Sequence, residues 1–225
     1  MLPAEQLQIK DCKKMRAIGL TPEMIKAGID YVHEILDCID HTLLGKGEER
    51  MSGLVELTNL SSIIGNLLRA GIGRASKGKF KPNAPHKYPD LLAVHQSCKA
   101  VEIKVALENN KPKGHLVKPG PHITCRYVLC ADDGSFTREK RGVIARIWEV
   151  RVGVLQKRHF NISNTKKDSG KTATVNAAGM NALVPVFLDK DRCPWSPRGK
   201  SYRAAFPRPI SQPIKRKPRL RKVAV

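Results

Sequence analysis

Three side chains between residues 88 and 105 combine types that chemistry uses and that strands avoid. Asp90 opens the run Asp90-Leu-Leu-Ala-Val94, and Glu102 and Lys104 interrupt Ala100-Val-Glu-Ile-Lys-Val105. Asp and Glu are depleted from strands, and a charge inside an apolar run is costly unless it is paired or bound to a metal. Glu102 and Lys104 are two apart, so in a strand both point to one face while Val101, Ile103 and Val105 point to the other. Two carboxylates suit Mg²⁺, a hard cation that prefers oxygen ligands and often takes only one or two of them from the protein. An ammonium beside them can orient an attacking water or stabilise developing negative charge. Metal, water and charge stabiliser are the three requirements of phosphodiester hydrolysis.

The elements that position these groups must meet one geometric condition. If the two runs form a hairpin closed by an even number of residues, Asp90 points away from Glu102. An odd-length turn, or a bulge near the start of the first strand, puts all three side chains on one face. Pro89 favours irregularity at that end, because proline removes a ladder donor.

Ahead of the pair, Ser52 to about Ala70 is predicted to be a helix with an amphipathic stripe of Leu57, Leu60, Ile63, Ile64, Leu67 and Leu68. Glu56 precedes Leu60, Ile63 and Leu67 by four, seven and eleven residues, which places it on that stripe. It is either a helix-start carboxylate offsetting the dipole or an acid aimed at the same edge as Asp90. Residues 71–89 then form a basic loop rich in Gly and Pro that leads into Asp90. Its Lys79, Lys81 and Lys87 suit a phosphate backbone or, equally, a solvated surface.

Further upstream, Thr21-Pro22-Glu23 reads as a helix start running to about Leu44, with a short helix near residues 4–18. Downstream, apolar runs at 123–131, 143–155 and 183–188 read as strands, with a turn at Asp132-Asp133-Gly134. The expected fold class is α/β, a mixed sheet with helices. Residues 1–50 form a helical entry region, 51–192 the core and 193–225 a basic, Pro-rich tail. Within the core, the polar segment 156–182 carries Asn164, Lys166, Lys167 and Lys171. Such residues either read base edges in a major groove or touch only phosphates.

Charge supports a polyanionic partner. Residues 1–50 hold nine acids and seven bases, a net of −2, whereas the other 175 hold eleven acids and 34 bases, a net of +23. A field of that sign favours DNA, RNA or an anionic membrane surface. Residues 207–225 contain seven Lys and Arg and no acid, the composition of a flexible arm that grips a backbone. No apolar run approaches the ~18 residues of a membrane span. Six scattered cysteines without a CxxC or a secretory signal lead to the expectation of reduced thiols in the cytoplasm.

Pro89-Asp90, eleven intervening residues and then Glu102-Ile103-Lys104 resembles the PD-(D/E)xK nuclease superfamily, whose best-populated branch is the type II restriction endonucleases. The resemblance implies that Asp90 and Glu102 bind Mg²⁺, that Lys104 positions the water, and that Glu56 assists from the preceding helix. It also implies a restriction-endonuclease-like central mixed β-sheet flanked by helices, with this hairpin at its centre. The activity implied is double-stranded DNA cleavage, and two-fold symmetric sites would call for a homodimer. The alternatives are a repair or junction-resolving nuclease with the same residues, and a basic nucleic-acid-binding protein without catalysis. Asp168-Ser-Gly-Lys-Thr172 lacks the first glycine and preceding strand of a P-loop. The spacing of His115, His122, Cys125 and Cys130 matches no common zinc site.

Overall fold

The computed structural model describes residues 9–84, 87–163 and 172–206. The chain divides after Pro194 into two compact units. In the first unit, α1 (Lys13–Arg16) leads to α2 (Pro22–Leu44), which starts where the capping residues require. Thr21 Oγ1 accepts from Met24 N at 3.4 Å, with Pro22 and Glu23 in the first turn.

Where one helix was expected from Ser52, there are two: α3 (Met51–Leu54) and α4 (Leu57–Ala75). The break has tertiary causes. Met51 N donates to Asp40 Oδ1 at 2.9 Å and Ser52 Oγ to Val143 O at 2.6 Å, which ties the short turn to α2 and to a distant segment. On α4 the buried stripe is Leu60, Ile64, Leu68 and Ile72. Each such fully buried aliphatic side chain is worth about 1.5–3 kcal/mol. α2 crosses α4 closely at two glycines. A Cβ on Gly71 would lie 2.8 Å from Gly28 Cα, so any larger residue there would push the helices apart.

Strand β1 (Phe80–Pro82) pairs antiparallel with β2 (Leu91–Ala93). Then come β3 (Glu102–Leu107), β4 (Lys113–Gly114), β5 (Gly120–Cys130) and β6 (Ile144–Leu155). β7 (Phe160–Ser163), β8 (Thr172–Val175), α5 (Ala177–Ala182) and β9 (Val184–Leu188) complete the unit. The main sheet has the order β3-β5-β6-β9, with β3 parallel to β5 and the other pairs antiparallel. A smaller antiparallel sheet has the order β4-β8-β7. The second unit contributes α6 (Lys200–Ala205). The chain is thus mixed α/β. The described residues of the polar segment 156–182 hold a strand pair and a helix, around a small core of Leu155, Phe160, Val175, Met180 and Leu183.

The two faces of the main sheet differ. Ile103, Ile123, Cys125, Tyr127, Val150 and Val152 join the core built with α2 and α4, where Ser61 Oγ meets Tyr127 Oη at 3.0 Å. On the other face the register aligns Glu102 with His122, Lys104 with Thr124, Thr124 with Arg151 and Arg126 with Glu149. A bulge maintains this division. Arg126 pairs with Glu149 but Tyr127 with Ile147, which leaves Trp148 as the extra residue.

Candidate active site

Asp90, Glu102 and Lys104 come together at the edge of the main sheet. Leu91 and Val101 exchange both backbone hydrogen bonds at 2.9 Å, an antiparallel bridge that places Asp90 directly opposite Glu102. The connection from residue 92 to residue 100 has an odd length, so the geometric condition is met.

The hairpin ends there, and proline explains why. The next ladder position would pair Pro89 with Ile103, but Pro89 has no N–H and its carbonyl accepts from Asn83 Nδ2 at 2.9 Å. Ile103 N donates instead to Asp90 Oδ2 at 2.7 Å. The carboxylate therefore stands in for the missing backbone acceptor. β2 turns away to β1, and β3 lies at the edge of its sheet, not at the centre as the family resemblance implied.

The electrostatics of the two carboxyls differ. Burial raises the Asp90 pKa, the Ile103 N–H opposes that, and the Glu102 charge adds to it; the net shift is upward. Arg69 Nη1, 3.9 Å from Asp90 Oδ1, pulls the other way. Glu102 is 3% exposed, and burial alone would raise its pKa. Lys104 and then Lys118 outweigh burial and hold it below the usual carboxylate range. Glu102 Oε1 accepts from Lys104 Nζ and from Lys118 Nζ, the latter at 2.9 Å. Beside it His122 is fully buried, with Nδ1 at 2.9 Å from Gly120 O. Burial pushes the His122 pKa down to about 4, so the ring is neutral at pH 7.

Asp90 and Lys104 line a cleft of about 1100 Å³. It is lined by Thr58, Ser62, Asn66 and Arg69 of α4 and by Lys111, Lys113, His115 and Arg141. Ile103 to Leu107 of the edge strand β3 also line it. Gly114 backs onto the lysine, since a Cβ there would lie 2.5 Å from Lys104 Nζ.

Other expected residues lie elsewhere. Glu56 is the residue before the first turn of α4, exposed, makes no cap hydrogen bond to the backbone, and receives only Thr58 Oγ1 at 3.4 Å. It is therefore not on the buried stripe, because the helix breaks at 55–56, and it does not line the cleft. Lys79, Lys81 and Lys87 are exposed but also outside the cleft lining. Asn164, Lys166, Lys167, Lys171 and the basic arm at 207–225 fall outside the described residues. Sequence reasoning missed Arg69, Lys118 and His122. The polar spacing Thr58, Ser62, Asn66, Arg69 is a local signal for the first; the other two depend on the parallel β3–β5 pairing.

No protein-family model matches the chain, and neither does any curated protein sequence. Among the described residues no three His, Cys, Asp or Glu side chains converge as a metal-binding group. The donor set for a metal is two carboxylates. That set fits Mg²⁺, which often takes one or two protein carboxylates and completes its shell with water and substrate oxygens. Glu102 Oε2 is buried and has no hydrogen-bond partner among the described residues, which is costly for a carboxylate oxygen and would be relieved by a cation. No helix among the described residues is long and apolar enough to cross a membrane.

Proposed function

We propose that the chain is a Mg²⁺-dependent endonuclease of the PD-(D/E)xK type acting on double-stranded DNA, with type II restriction cleavage as its specific activity. The observation that carries this reading is the register that sets Asp90 opposite Glu102, with Lys104 on the Glu102 face and a cation-lined cleft alongside.

Asp90 and Glu102 would hold the metal, which when bound would polarise a phosphoryl oxygen and acidify water. Lys104, a donor of three N–H bonds, spends one on Glu102 and has others for the attacking water or a non-bridging phosphate oxygen. Its ammonium has no acceptor, so it orients and stabilises and does not take the proton of the water. Asp90 must be ionised to act, and the Ile103 N–H fixes its carboxylate in the plane of the strand. Arg69, Lys111, Lys113 and Arg141 along the cleft are placed to neutralise phosphates.

Incubation of purified protein with plasmid DNA in Mg²⁺ and in EDTA tests the proposal. Discrete bands in Mg²⁺ alone are expected. A smear, or preference for branched substrates, would replace restriction by repair or junction resolution. DNA binding without cleavage under any divalent metal would sink the enzyme reading and leave a basic DNA-binding protein. Cleavage of both strands at two-fold symmetric sites further requires a homodimer, measurable by light scattering on the DNA-bound protein.

A further inference from the structure

Glu102 Oε1 is doubly occupied, while its other oxygen has no hydrogen-bond partner among the described residues. Lys104 follows from the strand register, two residues along β3. Lys118 does not. It lies on the connection from β4 to β5, with its side chain 27% exposed and its ammonium 2.9 Å from Glu102 Oε1. The same ammonium sits 4.9 Å from the centroid of the Tyr88 ring, and Tyr88 Oη donates to Pro119 O at 3.1 Å. Lys118 is therefore clamped between a buried carboxylate and an aromatic ring that is half exposed to solvent.

The local charge count explains what such a clamp can do. Two carboxylates, −2, face Lys104, Lys118 and Arg69, +3, so the cluster already carries +1. A divalent ion would take it to +3, and like charges at this spacing oppose that ion strongly. A phosphate backbone in the cleft changes the balance. It offers Lys118, on a flexible four-carbon stem, another anion within reach of the exposed side of the clamp.

We propose that Lys118 is a removable counter-cation of Glu102, which keeps the carboxylate pair closed to divalent ions until a polyanionic strand enters the cleft and draws the ammonium onto a phosphate. The inference rests on the metal-dependent reading above. Lys118 is a positioning residue in this scheme, and metal and DNA bind cooperatively, each raising the affinity of the other by the same factor.

The test is calorimetric titration of Ca²⁺, which takes the same class of oxygen ligands, into the full chain with and without a short DNA duplex. Lys118→Met keeps the stem and removes the charge. It is expected to bind Ca²⁺ without DNA roughly tenfold tighter than the wild type, within the range usual for coupled sites. It should also lose most of the enhancement that the duplex gives the wild type, whereas Lys118→Arg should behave as the wild type does. Tyr88→Ala, which opens the clamp from its other side, should shift Ca²⁺ affinity in the same direction by a smaller factor, and it serves if Lys118→Met does not fold. Folded variants that bind Ca²⁺ no tighter than the wild type without DNA overturn the proposal. Glu102→Gln separates the two failures. If, with the duplex present, it binds Ca²⁺ as tightly as the wild type, the metal reading falls and this inference falls with it. If it abolishes Ca²⁺ binding with the duplex present while Lys118→Met gains nothing without it, only the role of Lys118 is lost.

Discussion

Asp90 and Glu102 stand directly opposite one another across the Leu91–Val101 bridge, yet their carboxyls are shifted in opposite directions. Glu102 has two lysines on one oxygen, whereas Asp90 has a backbone N–H and a more distant guanidinium. Because the Asp90 pKa is raised and the proposed mechanism needs Asp90 ionised, its titration is expected to contribute to the acid limb of activity. Arg69→Met removes a cation that lowers the Asp90 pKa, so the acid limb of a pH–rate profile is expected to move to higher pH. An acid limb that stays in place would show that another group controls it.

Burial opposes the charged form of Asp90, so ionising it costs stability. By linkage, a raised carboxyl pKa contributes stability that is present at low pH and lost as pH rises through the folded-state value. Asp90→Asn keeps an oxygen that can accept from Ile103 N and carries no charge. It is expected to raise Tm at pH 7 while reducing cleavage about 100-fold or more, a stability–activity trade-off. Calorimetry and a cleavage assay on one preparation decide it, and a lowered Tm would contradict the sign.

Gly114 leaves room for the end of the Lys104 side chain. In Gly114→Ala the new methyl would stand 2.5 Å from Nζ and 2.8 Å from Cε, so the flexible ammonium, not the backbone, must give way. We expect cleavage to fall by about tenfold or more, with Tm nearly unchanged. A fall in Tm that accounts for the lost activity would show the glycine to be needed by the fold instead.

Glu56 is exposed and makes no cap hydrogen bond to the backbone. Glu56→Gln should leave cleavage within about twofold of the wild type and stability within about 0.5 kcal/mol. A loss of activity comparable to that of Glu102→Gln would place Glu56 in the chemistry after all.

His122 is fully buried, and its pKa lies near 4 against an ordinary value of 6.5. The folded state favours the neutral ring, so this contribution is complete above pH 6.5 and is lost as pH falls toward 4. The loss is on the order of 3 kcal/mol by pH 4. In His122→Gln the steepness of Tm against pH across that window should diminish. Parallel curves for wild type and variant would mean that the ring does not hold out against protonation.

Features set by neighbouring residues were legible in the sequence. Thr21 and Pro22 mark the start of α2 because a cap and a first-turn proline act locally. Glu102 and Lys104 share a face because alternation is local to one strand. Glu56 was misplaced because the apolar pattern runs unbroken through 55–56, while the break depends on Asp40 and Val143, eleven and 91 residues from their partners. Lys118 and His122 were invisible for a similar reason. They reach Glu102 only through parallel pairing of β3 with β5, and nothing near residue 102 announces which strand will lie beside it. Asp90 lies between these cases: proline marked the irregularity, but only the bridge settled its direction.

The extra residue Trp148 has a consequence for how the chain tolerates insertions and deletions. Ile147 and Glu149 are two apart, yet Ile147 pairs with Tyr127 on the helix side and Glu149 with Arg126 on the opposite side. The parity of β6 changes at that one position. Deleting Trp148 would restore uninterrupted alternation and turn either Glu149 and Arg151 toward the apolar helices or Ile147 toward the charges. Replacing its side chain would keep the register but lose its packing, its Nε1 hydrogen bond to Glu108 O at 3.0 Å and its ring contact with Arg126. The strand therefore has a reading frame, and that frame shifts at a single tryptophan.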